Sequence, residues 1–108
     1  MNEPKKILAL RCALLIAKHE SEKLKNLYDG GTCNFDTPYI VLKRWKDREV
    51  FQAFKLTGMQ PRKDYKGVFE IVDYDNFSQG LRRTAMAEAI RDSLQAQGYI
   101  AGVRYLID

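Results

Sequence analysis

Apolar side chains along this chain change their spacing several times, and each change marks an element. Pro4 fits the first turn of a helix, where its missing N–H has no partner to lose. From there Ile7, Leu10, Leu14 and Ala17 recur at helical spacing, with Leu8, Leu15 and Ile16 widening the stripe. The pattern predicts a helix running to Leu27 and ended by Asp29-Gly30-Gly31, because glycine adopts the left-handed C-cap conformation without steric cost. Thr32 to Leu42 then alternates as a strand. Phe35, Tyr39 and Val41 share one face with Cys33 and Thr37, while Ile40 and Leu42 face the other way. Pro38 cannot donate to a ladder, which points to an edge strand or a bulge.

Asp47 is the predicted N-cap of a short helix reaching Thr57, with Val50, Phe51 and Phe54 on its buried side and Gly58 stopping it. Met59 to Lys66, with Pro61 and four charged residues, reads as a loop. Gly67 to Tyr74 reads as a central strand, since Val68, Phe69, Ile71 and Val72 are apolar on both faces. Asp75, Asn76 and Ser78 are candidate caps for a helix over 79–97. Its buried face carries Met86, Ala89, Ile90, Ser93 and Leu94, and Gly98 follows as the C′ residue. Tyr99, Ala101, Val103, Tyr105 and Ile107 alternate as a last strand, whose tyrosines leave one sheet face partly exposed.

The predicted order is therefore α-β-α-β-α-β. That order suits an α+β two-layer sandwich, a small three-stranded sheet with helices mainly on one face. The strand–helix–strand unit over 67–107 would be right-handed if its strands are parallel neighbours. A length of 108 residues fits a single domain over 1–108, with a helical segment 1–28 and a mixed core 30–108. Composition, 45% hydrophobic and 30% charged, excludes a disordered or collagen-like chain.

Charge changes the picture through its placement. Between Lys43 and Lys66 stand eight basic residues against three acidic ones, a local +5 where the whole chain carries +4. Within this stretch Lys43, Arg44, Trp45 and Lys46 set an indole among three cations. Arg62, Lys63, Tyr65 and Lys66 do the same with a phenol. Arg82 and Arg83, at the start of the last helix, extend the set. Rings stack on unpaired bases while Lys and Arg neutralise phosphates, so the combination suits single-stranded nucleic acid or an acidic partner surface. A bland arrangement competes with this one: a solvated charged face, with Trp45 tucked into the core and Tyr65 packed on a strand. No RNP, KH or zinc-finger pattern is present, and helices alternating with strands disfavour a helix-turn-helix.

Other chemistry is sparse. His19 is the only histidine and lies in a charged helical stretch. Cys12 sits in an apolar helical pattern as a small hydrophobe, and Cys33 beside Gly30-Gly31 lacks the nearby cations that activate a thiol. Two such cysteines make no disulfide framework and point to a reducing cytoplasm. Asp73 and Asp75 form a carboxylate pair able to hold a divalent cation, but such acids more often cap the next helix. Asp36 is an isolated acid expected at a turn or strand edge. No metal spacing, GxSxG, Walker A or GxGxxG is present, so the expectation is a non-enzyme without catalytic residues, metal or cofactor. The apolar run from Ile7 to Ala17 is interrupted by Arg11 and falls well short of the roughly 20 residues that span a bilayer. It reads as a buried helix, with neither a membrane role nor a signal peptide.

Gly31-Thr-Cys-Asn-Phe-Asp36, Trp45 downstream, and Ala87-Glu-Ala-Ile90 followed by Gly98-Tyr99 resemble small uncharacterised proteins of phages and mobile elements of Firmicute bacteria. The resemblance covers roughly residues 30–108. It implies an accessory or host-interaction role and carries over no functional residue. The expected function is a small binding protein that meets nucleic acid or an acidic partner through residues 43–66. The alternative is a protein–protein or self-assembly module, a homo-oligomer joined through an exposed sheet face or edge strand.

Overall fold

The computed structural model describes residues 3–27, 35–76 and 80–106. Helix α1 spans Lys5–Glu22, followed by strand β1 (Thr37–Val41), helix α2 (Asp47–Phe54), strands β2 (Met59–Tyr65) and β3 (Val68–Asp73), helix α3 (Gly80–Ala96) and strand β4 (Ile100–Arg104). The sheet has four strands in the order β2-β3-β1-β4, and every neighbouring pair is antiparallel. From β1 onward the elements run β-α-β-β-α-β, the split βαβ arrangement, preceded here by α1.

The α+β class and the one-sided helical cover are as the sequence pattern predicts, but the sheet has four strands instead of three. The stretch from Met59, predicted to be a loop, is β2. Met59 and Pro61 face the core while Gln60 and Arg62 face out, and the next three residues are all exposed. An edge strand buries so little of itself that its period-two signal drowns in charge. Pro38 does not mark an edge, because β1 lies between β3 and β4. Pairing with β3 begins only at Tyr39, so Pro38 sits where β1 pairs with β4 alone. β3 is interior as expected. β3 and β4 run parallel but are not neighbours, since β1 separates them.

The sheet residues in the core, Ile40, Leu42, Met59, Phe69, Ile71 and Ala101, all lie on one face. They pack against Ile7, Leu10 and Leu14 of α1, Val50 and Phe54 of α2, and Ile90 and Leu94 of α3. Fully burying each large side chain contributes about 1.5–3 kcal/mol. Three helical details differ from the sequence pattern. α1 ends at Glu22, and its predicted Asp29-Gly30-Gly31 stop lies outside the described residues. Lys46, not Asp47, is the N-cap of α2; Glu49 reaches back to accept from the Lys46 N–H at 2.8 Å. α2 closes at Phe54, because Leu56 and Gly58 both take positive φ, and Phe51 is left exposed. Gly98 does take the left-handed conformation after α3, at φ 93°.

Among the described residues no helix is long and apolar enough to cross a membrane.

Candidate nucleic-acid interface

The sheet face opposite the helices carries the predicted basic and aromatic residues only in part. Strand register arranges it in rows. Tyr65, Val68, Val41 and Ile100 form the row at the β2–β3 hairpin end, and Arg62, Glu70, Tyr39 and Gly102 form the next. In the first row Tyr65 and Ile100 are 64% and 69% exposed, a flat apolar platform in contact with water. In the second, the Tyr39 ring lies across Gly102 so closely that a methyl group there would collide with it.

The hairpin tip gathers cations beside this platform. The Leu42 N–H donates to the Gly67 carbonyl at 2.7 Å, which seats the tip against the chain leaving β1. A Cβ on Gly67 would stand 3.2 Å from Lys43 Cγ. The Lys66-Gly67 tip therefore falls next to Lys43. Arg44 takes φ 69°, a left-handed turn that lets the chain leave β1 abruptly. Lys43, Arg44, Lys46 and Lys66 are exposed, and none is ion-paired among the described residues.

The other predicted residues are engaged elsewhere. Trp45 is half-buried and packs on the core, with the Lys6 ammonium 4.7 Å from its ring centroid, so the bland arrangement holds for the indole. Lys63 turns to the helical side and pairs with Asp47 at 2.9 Å. Arg62 donates to Glu70 at 2.7 and 2.8 Å. Arg104, on the same face, pairs with Asp64 and lies 3.2 Å from Glu70, so the buried Glu70 carboxylate is held between two guanidiniums. Arg104 holds Asp64 below the usual carboxylate range. The middle of the face is thus charge-balanced. Arg82 and Arg83 lie at the opposite end of the sheet, where Arg82 donates to the Lys25 carbonyl and Arg83 to the Asp36 carbonyl, each at 2.8 Å.

The remaining candidates resolve as structure. The Lys18 ammonium reaches Asp75 at 2.5 Å, Asp73 at 3.5 Å and the Thr57 carbonyl at 3.1 Å. The carboxylate pair is therefore matched by a lysine, and Asp75 reaches α1; the residues just before α3, the candidate cap Ser78 among them, lie outside the described residues. Burial pulls the Lys18 pKa down, but the Asp75 hydrogen bond and both carboxylate charges outweigh it and hold the group above its ordinary value. Asp36 is buried, accepting from the Leu106 N–H at 2.9 Å and the Thr84 hydroxyl at 2.6 Å. Cys12 is exposed rather than packed, because it lies on the outer side of α1 with Leu8, Leu15 and Ile16. His19 is exposed, and Cys33 lies outside the described residues. Among the described residues no group of three His, Cys, Asp or Glu side chains could hold a metal ion.

Sequence reasoning passed over Tyr39 and Arg104. Alternation already set Tyr39 and Val41 on one face, but only strand order reveals that this face is the uncovered one. The last strand's tyrosines are not on it. Tyr99 packs on the core, and Tyr105 donates to Glu88 of α3. No protein-family model, curated protein or solved structure matches this chain.

Proposed function

We propose that this protein is a non-enzymatic binding protein that takes single-stranded nucleic acid at the hairpin end of its open sheet face. The observation that carries the reading is the exposed cations Lys43, Arg44 and Lys66, without ion pairs among the described residues, at the hairpin that carries the exposed Tyr65 ring. Unpaired cations neutralise phosphates, and an exposed ring on a flat platform offers a base its π-face. A duplex presents no unstacked base, so the platform favours single strands.

Fluorescence anisotropy with labelled oligo(dT) and oligo(rU) tests it. Saturable binding should weaken with salt, with a log–log slope of about −2 if three phosphates are contacted. Lys43→Glu, Arg44→Glu and Lys66→Glu combined should abolish binding and leave the urea midpoint unchanged. Trp45 emission should not respond, since the indole is packed away from this face. No binding at low salt, or undiminished binding by the triple variant, overturns the reading.

A second reading has its own observation. Leu8, Leu15 and Ile16 are exposed along the outer side of α1, which favours self-association through that helix over the sheet edge. Concentration-dependent sedimentation, lost in Leu15→Glu, would support it.

A further inference from the structure

A cavity of about 640 Å³ opens at the end of the sheet opposite the hairpin, between β3, the start of β1 and α3. It is in the size range of small-molecule sites. Its wall is largely apolar, with Ile71, Met86, Ala87 and Ile90. Two polar groups on it stand out. The first is Arg83, whose guanidinium donates to the Asp36 carbonyl at 2.8 Å and the Thr37 hydroxyl at 3.2 Å, and lies 5.7 Å from the Phe35 ring centroid. These partners are all neutral, and they use two of its five N–H donors among the described residues. The carboxylate of nearby Asp36 is occupied by Thr84 and Leu106. Arg83 thus brings a positive charge to the cavity with no ion pair among the described residues. Burial lowers its pKa, the Asp36 charge raises it and Arg62 lowers it further.

The second group is Ser21 of α1. It is 1% exposed, and its hydroxyl has no hydrogen-bond partner among the described residues. A buried hydroxyl left unbonded is uncommon and calls for an explanation. Ser21 lines the same cavity as Arg83.

We propose that this cavity binds a small apolar carboxylic acid. Its single negative charge would meet Arg83 through a charge-assisted, fork-shaped contact. Its hydrocarbon body would lie on Met86, Ile90 and Ile71, and the Ser21 hydroxyl would supply a second polar anchor. The wall also carries Arg62, paired with Glu70, and Asp73, paired with Lys18, so Arg83, without an ion pair among the described residues, is the cation placed to meet one anionic group on an apolar body. This site is separate from the hairpin end and does not depend on nucleic-acid binding there.

The experiment is titration of the ¹⁵N-labelled protein with decanoate below its micelle concentration, beside decan-1-ol as the neutral counterpart. Decanoate should give saturable shifts centred on the Ser21, Arg83, Met86 and Ile90 amides, at an affinity at least about tenfold above that of the alcohol. Arg83→Met should erase that difference. If that variant fails to fold, the acid–alcohol comparison on the wild-type protein decides alone. Equal affinity of acid and alcohol, or shifts confined to the outer side of α1, overturns the proposal. So does inorganic phosphate giving the same shifts at the affinity of decanoate. A failure of oligonucleotide binding would leave these outcomes unchanged.

Discussion

The two ends of the sheet carry similar numbers of charged side chains and use them in opposite ways. At the end where β3 meets α3, Lys18, Asp73, Asp75 and Asp36 are hydrogen-bonded or ion-paired, and three elements are tied together through them. At the hairpin end, Lys43, Arg44 and Lys66 touch no carboxylate among the described residues and are exposed. The first group is distant in sequence and close in space; Lys18 and Asp75 are 57 residues apart. The second is drawn from one charged stretch. Charge that maintains a fold is assembled from remote segments, whereas charge left for a partner can come from a single local run.

The largest expected effect breaks the first end. Lys18→Met keeps the stem but leaves Asp73 and the Thr57 carbonyl without their cation. Lys18 is only 8% exposed while Asp75 is 64% exposed, so the cost should be about 2–3 kcal/mol, below that of a fully buried pair. Urea denaturation measures it, and a change under about 0.5 kcal/mol would mean that this end is no more structural than a surface.

Tyr65→Ala probes the other end and should show the reverse profile. Its stability should move by less than about 0.5 kcal/mol. Oligonucleotide affinity should fall by about 1–3 kcal/mol, the worth of one base–ring stack. A variant that loses stability but not affinity would exchange the roles of the two ends.

The smallest effect sharpens the comparison through pH. Glu3 accepts from Arg11 and Gln52, and these hydrogen bonds lower its pKa from 4.5 to about 2. A carboxylate depressed in the folded state stabilises fully above its unfolded value, and that contribution fades as pH falls from 4.5 toward 2. Denaturation midpoints should decline across that window. Glu3→Gln should make the decline shallower, while Lys66→Gln at the hairpin end should not alter it.

Legibility in the sequence followed burial. The stripe of α1, the doubly apolar β3 and the Gly98 stop were readable because each buries a face or demands a left-handed residue. β2 was not, since its outer half is exposed and charged, and an edge strand needs no alternation beyond Met59 and Pro61. Pro38 misled because the ladder rule is local, while β1 meets β3 only from Tyr39 onward. At the candidate interface the run Lys43–Lys46 was visible as charge, yet which of its members stay unpaired depends on strand order. Lys63 and Arg62 are adjacent and end on opposite faces. Ser21 gave no signal at all, being one small polar residue in a charged helical stretch.

Strand β1 has one further consequence, for how the chain is made. Thr37 pairs with Arg104 and Val41 with Ile100, so one side of this interior strand awaits a partner about sixty residues downstream. Such long-range pairing gives a high contact order and slow closure of the sheet. At ribosomal rates of roughly 5–20 residues per second, β1 spends roughly 3–12 seconds with an unsatisfied edge before β4 emerges. During synthesis the centre of the finished sheet is therefore its most vulnerable edge.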